Sequence, residues 1–123
     1  MPFIILQSFV ALVLFDAIAL ILGFQRLHGI ARRFPLIRRR RDYSATRICQ
    51  AVAEACVWYP KRAYCLQRSW VASLLLRTHG LHSQIVIGYR PKPLDSHAWV
   101  EIDGKVVNDR PQYQKFFRVL DRL

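Results

Sequence analysis

Cysteine, glycine and acidic residues are all scarce in this chain, and each scarcity removes a class of explanation. There are three cysteines in 123 residues. None stands in a short paired spacing, so a disulfide scaffold and an all-cysteine zinc site are both excluded. The five glycines never gather into a phosphate-cradling loop, and no nucleotide requirement can be inferred. Acidic residues number 8 against 19 Lys and Arg, a formal net charge of +11. No internal repeat or low-complexity segment is present. What the chain does have is apolar residues: at 53% hydrophobic it is no disordered polymer, and its length suits one domain with a single modest core.

The charge is unevenly placed. Residues 1–24 carry only Asp16, whereas residues 25–47 carry eight arginines against Asp42. The chain therefore reads as an apolar head, a basic collar and a mixed body, with a boundary that separates residues 1–43 from a domain over 44–123. The head, FIILQSFVALVLFDAIALILGF at 3–24, is long enough to cross a bilayer at about 1.5 Å per helical residue. A central Asp costs about 2.5–3.5 kcal/mol on the insertion scale, and each Leu, Ile, Phe or Val returns about 0.3–0.6 kcal/mol, so insertion survives the charge. No basic residue precedes the run and no small-residue cleavage site follows it, which argues against a secretory signal. If the helix spans, the arginines place the body in the cytoplasm. The alternative is a helix packed on the body, with Asp16 capping or pairing there. In the collar, ARRFPLIRRRRD, Pro35 breaks any continuous helix. Without aromatic interleaving or a recognition fold, its arginine run fits anionic lipid or an acidic partner peptide better than nucleic acid.

In the body, Ser44 opens a helical pattern with Ile48, Ala51, Val52 and Ala55 on one face, closed by Pro60. Cys49 and Cys56 lie on this helix two turns apart and read as small packed hydrophobes. The spacing predicts a second helix from about Cys65 to Thr78, with Leu66, Trp70, Val71, Leu74 and Leu75 as its stripe and Gly80 as its cap. QIVIGYR at 84–90 reads as a buried strand. HAWVEI and KVVND flank Asp103-Gly104 as a hairpin, and the tail from Arg110 is expected to be a short helix or an irregular segment. Helix, helix and antiparallel meander make an α+β fold.

Cys65 stands at the first turn of its helix, where the positive end and unpaired N–H groups stabilise negative charge and prepare a nucleophile. On position alone it reads equally well as a third packed cysteine. His97 opens one hairpin strand and Asp109 closes the other. A two-residue turn would pair Ile102 with Lys105 and send His97 and Asp109 to opposite faces. A three-residue loop with Gly104 in a bulge sets Glu101 against Lys105, Trp99 against Val107 and His97 against Asp109, and this bulged form is the one we predict. Cys65, His97 and Asp109 then supply a nucleophile, a base and an orienting group. Trp99, on the same face as His97, reads as a buried aromatic or a wall of the site. His28, His79 and His82 read as surface or loop histidines.

At these residues the sequence resembles a known family. YCLQRSWVASLLLRTHGLHSQIVIGYR followed by SHAWVEIDGKVVND is similar to the C-terminal domain of the lasso-peptide leader peptidases, over roughly residues 45–115. That family is itself similar to the transglutaminase core and, more distantly, to papain-like cysteine peptidases. The resemblance implies a catalytic Cys65, His97 and Asp109, no cofactor or metal, and cytoplasmic cleavage of the leader from a ribosomally made precursor peptide. It also implies two partners, a separate leader-recognition protein and an asparagine-synthetase-like macrolactam cyclase. Fused members carry an N-terminal leader-recognising domain that residues 1–44 do not resemble, so the chain is similar to the stand-alone form. The head and collar are then free to contact a partner, an export transporter or a membrane. Two other functions compete with the peptidase: acyl transfer of the transglutaminase kind with the same triad, and a non-enzymatic membrane adaptor on the same fold. The second oxyanion donor is open, with Tyr59, Arg62 and Gln67 as candidates.

Overall fold

The computed structural model describes residues 3–34, 44–60, 65–91, 94–108 and 113–123. Four helices come first: α1 (Phe3–Leu22), α2 (Phe24–Arg33), α3 (Ala45–Trp58) and α4 (Cys65–Thr78). They are followed by β1 (Gln84–Pro91), β2 (Leu94–Ile102), β3 (Lys105–Val106), a single turn α5 (Tyr113–Phe116) and β4 (Arg118–Arg122). The strands form one antiparallel sheet in the order β3-β2-β1-β4. The architecture is α+β, with α4 packed on one face of the sheet and α1, α2 and α3 packed against α4.

Local chemistry sets the helix ends. The Ser44 hydroxyl accepts the Arg47 N–H at 3.2 Å and caps α3, which buries Ile48, Ala51, Val52 and Ala55 as its spacing predicts. At the end of α4, Gly80 adopts φ 83°. Its N–H reaches Arg77 O at 3.1 Å while Leu81 N–H reaches Leu76 O at 2.8 Å, a paired closure that needs the left-handed residue between them.

The single apolar stripe expected on α4 is too narrow. Gln67, Ser69, Ser73 and Arg77 are buried alongside Trp70, Val71, Ala72, Leu75 and Leu76, because other helices cover one side of α4 and β1 and β2 cover the other. Buried polar groups there must find partners. The Arg77 guanidinium donates to Ser83 O at 2.6 and 2.9 Å and to Ala31 O and Phe34 O at 2.9 Å, tying α4 to the end of α2. Burial pulls its pKa down from the ordinary arginine value. The Trp70 indole N–H reaches Leu27 O at 2.9 Å and adds a second tie to α2.

The apolar head is a core helix of this body. Ile4, Ile5, Ser8, Leu12 and Phe15 are buried against α3 and α4, and Phe15 meets Trp70 edge-on at 5.5 Å. Asp16 sits at the contact with the body. The Tyr59 hydroxyl donates to its carboxylate and to Leu12 O, and the Gln67 amide donates to Asp16 at 3.2 Å and to Leu12 O at 3.1 Å. Burial, with the hydrogen bond to Asp16 and its charge, pushes the Tyr59 hydroxyl up to about 12, so it stays a donor at neutral pH. A residue that looked costly to insert in a bilayer is thus the polar anchor of the helix.

Two sheet expectations need correction. The hairpin carries a two-residue turn: Ile102 pairs with Lys105 and Glu101 with Val106, and the three-residue bulge is absent. Asp103 (φ 52°) and Gly104 (φ 77°) both take left-handed conformations, a turn whose twist matches its strands without an extra residue. The tail contains the expected short helix, α5, but then continues as a strand, since β4 pairs along β1 from Val86↔Arg122 to Tyr89↔Arg118. All five β4 residues are exposed, which is why no apolar alternation announces the strand.

On the outer face of the sheet, Trp99, Val86 and Phe117 form a second small cluster. Gly88 lies beneath it. A Cβ at Gly88 would come within 2.6 Å of the Trp99 ring and 2.9 Å of Phe117. We expect Gly88→Ala to destabilise the fold by about 1–3 kcal/mol through overpacking, measured as a shift in the urea midpoint. Arg77→Met, which strands the α2 carbonyls, should cost about 1–3 kcal/mol per carbonyl left without a partner. A midpoint equal to that of the native chain would show that water replaces the guanidinium.

Candidate active site

Cys65 is the first residue of α4, and His97 lies on β2 opposite Gly88 of β1. Both side chains are half-buried. They line one cavity of about 120 Å³, walled also by Leu66, Ile87, Ser96 and Ala98. Cys65 and His97, both singled out from the sequence, therefore border one concave place at the N-terminal end of the central helix. Its surroundings are largely aliphatic, with Ile87 and Leu66 packed against the main core. Asp109, the third member of the set, lies outside the described residues, as does Arg62.

The imidazole of His97 stacks at 27° on Trp99, with ring centroids 6.4 Å apart, and faces Phe117 at 6.0 Å. Trp99 is fully buried, and its indole N–H donates to Glu101 Oε2 at 2.8 Å. Glu101 is buried too and accepts from Gln114 at 3.1 Å and Arg122 at 3.0 Å. Burial alone would raise its pKa, but the hydrogen bonds from Trp99, Gln114 and Arg122, with the Arg122 charge, outweigh it and hold the carboxyl below its ordinary value. Residues 97, 99 and 101 share one face of β2 by strand alternation. A fixed carboxylate thus holds an indole, and the indole supports one side of the imidazole. Trp99 is both a buried aromatic and a wall beside His97.

The two-residue turn alters the cross-strand partners predicted for these residues. Glu101 pairs electrostatically with Arg122 of β4 in place of Lys105, and Trp99 packs on Val86 and Phe117 in place of Val107. The face-to-face register predicted for His97 and Asp109 depended on the bulge. With Ile102 opposite Lys105, regular pairing would put the two on opposite faces, but β3 ends at Val106 and the chain leaves the ladder before it reaches Asp109.

Asn108 is the functional candidate that pattern reading missed. Val107 N–H still reaches Val100 O at 2.9 Å, after which the Asn108 side chain replaces the backbone as partner. Its Oδ1 accepts the Val100 N–H at 2.8 Å, and its Nδ2 donates to Ser69 Oγ at 3.2 Å, one helical turn beyond Cys65. The hairpin is thereby pinned to the helix that begins with Cys65, at the residue before Asp109. Nothing in VVND signals this, because an Asn closing a hairpin looks like ordinary turn chemistry.

Other candidates have different employment. Tyr59 and Gln67 are committed to Asp16 and Leu12 of α1. Burial pushes the Cys49 thiol up to about 11 and raises Cys56 as well, as suits packed, protonated thiols. His79 meets Gln7 at 3.3 Å, His82 is exposed, and His28 is half-buried on α2. Among the described residues no group of three or more His, Cys, Asp or Glu could hold a metal ion.

The microcin J25-processing protein McjB of Escherichia coli is 36% identical over 59 residues, which is 48% of this chain and 28% of McjB. The chain thus spans less than a third of the length of that relative. No solved structure matches. The family model for the transglutaminase-like superfamily matches residues 9–122, from the apolar helix through β4. A match over nearly the whole chain leads to one conclusion: the chain belongs to the transglutaminase-like superfamily.

Proposed function

We propose that this protein is a cysteine peptidase that removes the leader from a ribosomally made lasso precursor peptide, using Cys65, His97 and Asp109. The observation that carries the reading is the shared cavity of Cys65 and His97 at the start of α4. The similarity to a microcin-processing protein supports a peptide precursor as substrate. His97 takes the Cys65 proton, and the sulfur attacks the carbonyl carbon of the last leader residue. The tetrahedral oxyanion faces the N-terminus of α4, whose first-turn N–H groups are suited to stabilise it. Collapse breaks the C–N bond, and His97 returns its proton to the core peptide's new amine. Water, deprotonated by His97, then hydrolyses the thioester and regenerates Cys65. Asp109 holds the imidazole tautomer. A separate leader-recognition protein presents the precursor, and an asparagine-synthetase-like cyclase closes the macrolactam on the released core.

The test is mass spectrometry of a precursor peptide incubated with the full chain, with and without the leader-recognition protein. We expect one cut between leader and core and none with Cys65→Ala. His97→Ala should lower the rate by roughly 10²–10⁴-fold, the usual contribution of a general base. Asp109→Ala should fall short of that loss, since an unoriented imidazole still accepts a proton. An uncut peptide that incorporates an added amine would move the assignment to acyl transfer. Equal cleavage by the native chain and the His97 variant would refute the mechanism.

A further inference from the structure

The face of α1 turned away from the body is as apolar as the face that is buried. Phe3, Leu6, Val10, Val13, Leu14, Leu20 and Ile21 are all exposed, and their spacing places them on one side of the helix. Leu20 is 88% exposed and Ile21 76%. The surface continues onto the end of α3, where Trp58 (74% exposed) borders an apolar cleft of about 260 Å³ with Ile5, Leu6, Phe9 and Ala55. Single exposed apolar residues are ordinary, but a contiguous stripe of this length marks a docking surface.

We propose that this stripe lies in the plane of an anionic bilayer surface, with α1 embedded side-on and not spanning. The opposite face of α1 is already used: Ile4, Leu12 and Phe15 fill the core, and Asp16 and Leu12 O are bonded to Tyr59 and Gln67. Crossing the bilayer would strip those partners away. Charge names the occupant. Eight arginines fall within residues 25–47, directly after the stripe. Of these, Arg26 and Arg33 line a shallow depression of about 640 Å³ on α2, with Gly29, Ile30 and Phe34 at its floor. Both are exposed, and neither has a carboxylate partner among the described residues. Aliphatic residues with an exposed Trp, flanked by arginines, match a lipid interface with acidic headgroups. A protein-binding face of this size would carry polar groups among its apolar ones, and this stripe has none.

The experiment is co-sedimentation of the full chain with vesicles of phosphatidylglycerol and phosphatidylcholine, against phosphatidylcholine alone. We expect binding to the anionic vesicles, weakening with salt, and a loss of about tenfold or more in Leu20→Glu/Ile21→Glu. Extraction by alkaline carbonate should release the bound protein. A second readout needs no variant: Trp70 and Trp99 are buried, so quenching by brominated lipid reports on Trp58. Quenching is expected. No binding to any vesicle, unchanged binding by a folded double variant, or carbonate resistance would each overturn the proposal. So would a dimer that the double variant dissociates without any lipid binding, which would assign the face to a second copy. None of these readouts depends on peptide cleavage.

Discussion

Because α4 lies between the other helices and the sheet, its buried polar side chains have had to find partners in different parts of the molecule. Gln67 bonds to α1, Ser69 to Asn108 at the end of the hairpin, Ser73 to Ser83 before β1, and Arg77 to the last carbonyls of α2. An unpaired group at any of these positions would be expensive in a dry interior, so satisfying them fixes where the surrounding elements sit. The same helix begins with Cys65. Its burial therefore positions Cys65 and also orders the elements that approach it.

A second chain of contacts works from the outer face of the sheet. Arg122 and Gln114, on the last strand and the turn before it, hold the Glu101 carboxylate, which holds the Trp99 indole against His97. The C-terminal segment thus supports the histidine across two strands, although it contributes no residue to the cavity itself. The absence of a side chain at Gly88 leaves room for the Trp99 ring. Cys65 and His97 are consequently supported from opposite faces of the sheet, Cys65 by helices and His97 by β4 and its turn.

Much of this arrangement was legible beforehand. The bounds of α3 and α4, the Ser44 and Gly80 caps and the strand at Gln84 follow from local signals that act within a few residues: a cap hydroxyl, a left-handed glycine, a change of hydrophobic period. Cys65 and His97 stand where local signals place them, at the start of a helix and in a hairpin strand. The hairpin register is not legible in the sequence because the two turn lengths differ by a single residue, and the deciding preference, two left-handed residues at Asp103 and Gly104, is a matter of strand twist.

By itself, the sequence determined which segments are helical, which are extended, and which residue types stand ready for nucleophile and base, since these depend on neighbours along the chain. The tertiary structure alone decided that Asp16 is an anchor of the core, that Tyr59 and Gln67 serve α1, and that an exposed C-terminal segment becomes β4. It alone decided that Asn108 ties the hairpin to the helix of Cys65. The physical reason is common to all four: each is a hydrogen bond or ladder between residues distant in sequence, and a polar side chain carries no local mark of the partner it will meet.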